Sequence, residues 1–129
     1  MPLVSASFFA FGTLAMLIGM GMGMHMGATG DFTLMPAHAH LNLLGFVTMA
    51  IYGGFYALAR ESFSAKLAWS NFGLSAAGVM VMIPFLSLML KSGDHALEPF
   101  VALGGGLSML GLIVFAVSVF KEMARARQR

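Results

Sequence analysis

Four long apolar stretches, in which Glu98 is the only charged residue, constrain the fold of this chain more than any other feature. They cover roughly residues 5–27, 34–59, 67–90 and 97–120 of the sequence. Each is long enough for the roughly 20 residues that a helix needs to cross hydrocarbon, and none shows the alternating pattern of a transmembrane strand. Because a span in lipid must satisfy its own backbone hydrogen bonds, we predict an all-α integral membrane four-helix bundle.

The rest of the chain agrees with a single membrane domain over residues 1–129. Only 9% of the residues are charged, against about 25% in soluble domains. The basic tail, 121–129, is predicted to be a solvated helix end that fixes topology rather than a nucleic-acid-binding segment. The first stretch has no basic start and no convincing cleavage site, so we interpret it as a helix and not as a signal peptide.

The distribution of lysine and arginine predicts the orientation of the helices. Arg60 and Lys66 lie in one connection and four more basic residues lie in the tail, whereas the 28–33 connection has none and the 91–96 connection has only Lys91. Basic residues stay on the cytoplasmic side, so both termini are predicted to face the cytoplasm from an inner membrane. All four histidines then fall on the outer side: His25, His38, His40 and His95.

The most informative local motif is the His-x-His pair formed by His38 and His40. Each residue of an α-helix turns about 100°, so the two imidazoles point about 200° apart and cannot chelate one metal ion from a regular helix. Each therefore needs its own partner on another helix or another subunit. Interfacial histidines bonded to water or backbone are the alternative, but polar residues at membrane depth favour a functional role.

Neutral imidazole is a good ligand for iron and copper, and haem in a helix bundle is typically held by histidines. A haem site also needs small and soft side chains around the ring. Gly45, Met49 and Gly53 on the second helix offer these, although the same residues also suit helix packing. His25 is a reserve ligand. The absence of cysteine excludes thiolate ligands and covalent haem attachment.

Methionines near His25 leave a copper site open as a second hypothesis. Thioethers together with histidine suit cuprous copper. Alternating methionines do not all share one helix face, however, so gap filling is the competing interpretation. The methionines concerned are Met20, Met22, Met24, Met26 and Met35.

The residues that follow the histidine pair show a family likeness. The run His38-Ala39-His40, followed by the 50–55 segment Ala-Ile-Tyr-Gly-Gly-Phe, resembles the His-x-His helix of haem-copper oxidase subunit I, where Ala-Ile-x-Gly-Gly-Phe follows at closely similar spacing. The likeness covers about 20 residues, all in one helix. It implies an evolutionary relation to one arc of four helices in that family's twelve-helix, pseudo-threefold ring.

The resemblance implies a homotrimer that rebuilds the ring. Carried over residue by residue, His40 corresponds to the ligand of the low-spin haem. His38 corresponds to the ligand of the high-spin haem, and also to the single low-spin haem ligand of that family's second helix. In a threefold ring, His38 of one subunit and His40 of the next would coordinate the iron of one haem from its two faces. The resemblance thus implies bis-histidine b-type haems.

The chain also departs from the family. The family's copper site requires a His-x-x-x-Tyr and an adjacent His-His pair, and neither is present. We therefore expect an electron carrier, a b-type cytochrome exchanging electrons with a redox partner or quinone, rather than an oxidase. If it is an enzyme, it is an oxidoreductase with a five-coordinate haem. Two further hypotheses stay open: a copper-binding or transport protein, and an accessory subunit without a cofactor.

Overall fold

The structure, a computed structural model, describes residues 1–60 and 62–128. It contains four long helices: α1 (Leu3–Thr29), α2 (Met35–Leu58), α3 (Ala65–Ser92) and α4 (Glu98–Ala126). All four are long and apolar enough to cross a membrane. The expectation of an all-helical chain with four apolar spans is therefore confirmed. Glu61 and Arg129, the last residue of the predicted basic tail, lie outside the described residues.

Local capping, rather than hydrophobicity, sets the helix ends. Gly30 and Gly93 have φ values of 70° and 68°, and their N–H groups donate to the carbonyls of Met26 and Met89. This left-handed conformation, which glycine adopts without steric penalty, closes α1 and α3. Both helices consequently run two residues beyond the apolar stretches, and α4 continues through most of the basic tail.

Helix α2 has an irregular centre. It is α-helical over Met35–His40, forms a π-helix over Leu41–Thr48, and returns to α-helix at Met49–Leu58. A π-helix closes its hydrogen bonds over five residues and therefore makes a wider turn, which is rare outside functional regions. The irregularity begins directly after His40, so it changes how His40 is aligned with the deeper part of its own helix.

The helices pack mainly as two sequential pairs, α1 with α2 and α3 with α4. In the second pair, Gly78 and Gly104 bring the backbones together: a Cβ on Gly104 would lie 2.6 Å from the Met82 nitrogen and 2.8 Å from the Gly78 carbonyl oxygen. In the first pair, a Cβ on Gly53 would lie 3.0 Å from that of Phe8. Small residues allow such close approach between membrane helices.

A buried polar network joins three helices. The Asn71 side-chain amide donates to the Tyr56 hydroxyl (3.3 Å), which donates to Ser118 Oγ (3.2 Å). Ser75 Oγ donates to the Asn71 side-chain carbonyl at 3.0 Å. Ser118 in turn donates to the backbone carbonyl of Val114. The three hydroxyl groups each donate one hydrogen bond within this network. Because the network connects α2, α3 and α4, it fixes the positions of these helices relative to one another.

The network predicts that Tyr56→Phe destabilises the bundle while leaving its aromatic packing in place. Tyr56 is fully buried, and its loss would remove two interhelical hydrogen bonds. In membrane proteins, such bonds contribute about 1–2 kcal/mol at most, so we expect a decrease in the free energy of unfolding of that size. SDS titration followed by far-UV circular dichroism would measure it.

Tyr52→Phe is the matched control. The Tyr52 hydroxyl makes no hydrogen bond with any described residue, although the ring is equally well packed. Equal destabilisation by the two variants would show that the hydrogen bonds of Tyr56 contribute nothing specific.

Candidate functional site

The four histidines lie at one end of the bundle, called here the histidine end. His25 is in the last turns of α1 and His38 and His40 are in the first turns of α2. His95 directly precedes α4. The end of α1, the first connection and the end of α3 lie next to one another here. They line one cavity with His25, Asp31 and Lys91, respectively.

His38 faces α1 within its own subunit. Its Nδ1 lies 2.8 Å from the Gly19 carbonyl oxygen and its ring packs against Gly23. Because a carbonyl can only accept, Nδ1 carries the proton and Nε2 keeps its lone pair. Nε2 accepts a hydrogen bond of 3.2 Å from the Asn42 side-chain amide. Both ring nitrogens of His38 are therefore engaged.

His40 lies on another side of α2 and is exposed. Its Nδ1 donates to the Pro36 carbonyl oxygen at 2.7 Å. That bond fixes the tautomer and leaves the lone pair on Nε2, which has no partner among residues 1–60 and 62–128. A backbone carbonyl that holds the Nδ1–H is the usual support for a histidine that binds metal through Nε2.

His40 borders a cleft of about 330 Å³ between α2, α3 and α4. Four residues of α2 line it at four-residue intervals, and two serines line it from the facing helices. The lining from these two sets consists of His40, Leu44, Thr48, Tyr52, Ser75 and Ser108. Ser108 Oγ is buried and has no hydrogen-bond partner within the described part of the chain. The cleft thus combines an available imidazole with polar atoms that a ligand can satisfy.

The wider turn of the π-helix explains this alignment. Residues four apart on an α-helix drift by about 40° per step, so three steps would carry Tyr52 about 120° away from His40. The π-helix over Leu41–Thr48 turns less per residue and offsets part of that drift. His40 and the deeper Tyr52 consequently face the same cleft.

The three other residues predicted around a cofactor do not line this cleft. Gly45 packs against Ala15 of α1 and Val79 of α3. Met49 is fully buried in the core, and Gly53 accepts a 2.6 Å hydrogen bond from Ser5 on α1. Gly45, Met49 and Gly53 therefore contribute to helix packing within the chain, and their predicted place around a cofactor stays a prediction.

His25 and His95 occupy separate surroundings. His25 borders a second cavity, of about 310 Å³, together with Asp31. Hydrogen bonds from the Thr33 hydroxyl and backbone N–H lower the pKa of the Asp31 carboxyl, and the nearby His25 and Lys91 lower it further. His95 is exposed and its Nδ1 lies 2.5 Å from a carboxylate oxygen of Glu98, so it contacts neither cavity.

Two features of the site were not predicted from the sequence. The first is Asn42, four residues after His38, whose side-chain oxygen is buried without a partner among the described residues. The second is Ser108 on α4, whose position beside the cleft depends on how α4 packs. An asparagine at i+4 from a histidine is a signal that inspection of the helix face could have found.

Comparison of the chain with protein-family models, curated proteins and solved structures found no match. The interpretation of the site therefore depends on its own geometry and on the residue pattern of α2.

Proposed function

We propose that this protein is a haem-binding membrane protein, a b-type cytochrome in which His40 is an axial ligand of the iron. The observation that carries the proposal is the state of the His40 ring. Its Nδ1–H is held by the Pro36 carbonyl, its Nε2 lone pair is available, and the residue borders a cleft of about 330 Å³. An imidazole whose Nδ1–H is held by a carbonyl and whose Nε2 lone pair is available is a strong ligand for haem iron.

The lining of the cleft fits a flat, largely apolar ring with a polar edge. Apolar side chains form most of its walls, and Gly105 leaves open space on the α4 side, where an added Cβ would meet no atom within 4 Å. Ser108 also lines the cleft, and its buried Oγ has no hydrogen-bond partner within the described part of the chain. When bound, haem would supply a one-electron redox centre.

His38 is the proposed second ligand, contributed by a neighbouring subunit of a homotrimer, as the resemblance to haem-copper oxidase subunit I implies. Its Nδ1–H is already held by Gly19, which leaves Nε2 with the correct tautomer. Asn42 must release Nε2 first. The released amide would need a new partner, because the Asn42 oxygen already has none in the described chain.

With both axial positions filled by histidine, electron transfer is the proposed role. The acceptor or donor would be a redox protein or a quinone. The positive-inside pattern supports an inner-membrane location with both termini in the cytoplasm and the histidine end outside. An oxidoreductase with a five-coordinate haem is the alternative that binding of a diatomic ligand would reveal.

A reduced-minus-oxidised spectrum of the purified protein, expressed with added haem precursor, tests the proposal. We expect the sharp bands of a six-coordinate b-type haem and no change on adding carbon monoxide to the reduced form. A colourless protein would overturn haem binding. A carbon monoxide shift would overturn the bis-histidine arrangement but retain His40, and mass measurement in detergent would test the trimer.

A further inference from the structure

The methionines near the end of α1 fall into two sets. Met20 and Met24 are 52% and 74% exposed on the outer face of the bundle. Met22 is partly buried and packs against the hydrophobic core, and Met26 is only 3% exposed. Every second residue is a methionine, but only one set turns inward, because positions four apart share a face of a helix.

The inward set shares its face with His25. Met22, His25 and Met26 occupy positions i, i+3 and i+4 of α1, and all three line the cavity of about 310 Å³ at the histidine end. The first connection and the end of α3 close the cavity with Leu34, Asp31 and Lys91. The His25 ring makes no hydrogen bond within residues 1–60 and 62–128, so its lone pair is available to a ligand.

The donor atoms select a soft metal ion. Two thioethers and an imidazole suit Cu(I), whereas zinc, iron and magnesium sites use thiolate, carboxylate or several histidines. In the described part of the chain, no three His, Cys, Asp or Glu side chains are grouped so that they could hold a metal ion. That grouping does not include methionine, so it does not bear on a site with thioether ligands. The cavity therefore favours a metal that accepts neutral sulfur ligands.

The charges around the cavity agree with a monovalent ion. Asp31 and Lys91 both line it, and their formal charges cancel. A site with neutral ligands and no net charge holds a monovalent cation more readily than a divalent one, because less charge is buried without compensation. The Thr33 hydroxyl and N–H already hold one Asp31 oxygen, so the carboxylate stays beside the cavity as a counter-charge.

We propose that Met22, His25 and Met26 form a Cu(I)-binding site at the histidine end, separate from the cleft that contains His40. The site is independent of haem, since none of its residues lines that cleft. Its position at the solvent-accessible end of the bundle makes it reachable from one aqueous compartment.

Titration of the haem-free protein with Cu(I) against a coloured copper chelator tests the site. We expect one Cu(I) per chain. The double variant Met22→Leu/Met26→Leu removes two ligands and should weaken binding by at least about 100-fold, since loss of a residue that only supports a ligand already costs about 10–100-fold. Leucine conserves volume, so packing is preserved. The matched control is Met20→Leu/Met24→Leu, which removes the same number of thioethers from the exposed face and should leave the affinity unchanged.

Equal weakening by the two double variants, or unchanged binding in both, would overturn the proposal. X-ray absorption of the unmodified protein loaded with Cu(I) provides a test that does not depend on the folding of a variant. Two sulfur neighbours and one nitrogen neighbour are expected. A shell of nitrogen or oxygen alone would assign the copper to other histidines and would equally overturn the site.

Discussion

Replacing His40 with alanine is expected to remove haem from the protein. In the proposed site, His40 is the ligand that needs no rearrangement, because its Nδ1–H is fixed by Pro36 and its Nε2 has no competing partner in the described chain. Loss of this ligand should lower the haem content per chain by about tenfold or more. The pyridine haemochrome assay on purified protein measures that content directly.

Two companion variants sharpen this experiment. His95→Ala removes an exposed histidine whose one ion-pair partner in the described chain is Glu98, and it should leave both haem content and spectrum unchanged. His38→Ala should retain part of the haem but open one axial position, so that the reduced form binds carbon monoxide. Full haem content with an unaltered spectrum in the His40 variant would contradict the assignment of this residue.

Replacing Gly104 with alanine is expected to destabilise the bundle strongly. The added methyl group would meet the Met82 backbone nitrogen at 2.6 Å and the Gly78 carbonyl oxygen at 2.8 Å. Backbone atoms cannot rotate away as a flexible side chain can, so α3 and α4 must separate. We expect a loss of about 3 kcal/mol in the free energy of unfolding, at the upper end of the range for overpacking.

Gly106→Ala is the control for this substitution. Gly106 lies in the same helix two residues later, and a Cβ there would meet no atom within 4 Å. Alanine should therefore be neutral, or stabilising by up to about 1 kcal/mol through its better helix propensity. Both variants are compared by SDS titration of helicity. If Gly104→Ala unfolds no earlier than Gly106→Ala, close packing of α3 on α4 is not a source of stability.

Much of the fold follows from the sequence because lipid leaves few options to an apolar chain. Four long apolar stretches predict four helices, and that expectation is confirmed. The opposite directions of His38 and His40 follow from helix geometry, since both precede the irregular segment and lie in regular α-helix. The haem, the trimer and the relation to haem-copper oxidase subunit I stay predictions.

The parts that the sequence did not reveal depend on packing between helices. Gly45, Met49 and Gly53 suited either a cofactor or a helix neighbour, and only the position of α1 assigns them to packing. Alternating methionines diverge around a helix, and only the folded bundle shows which set turns inward beside His25. Ser108 is an ordinary residue in the sequence, and its role at the cleft requires the position of α4.

The π-helical centre of α2 gives that helix an unusual sensitivity to length. His40 lies near the end of the bundle and Tyr52 lies deep inside it, and both line one cleft. Each residue inserted or deleted between them would rotate one ring relative to the other by roughly a quarter of a turn. The length of this segment is therefore constrained by the need to keep both rings on one cleft. The number of residues between His40 and Tyr52 thus determines the relative orientation of the two rings, whichever side chains lie between them.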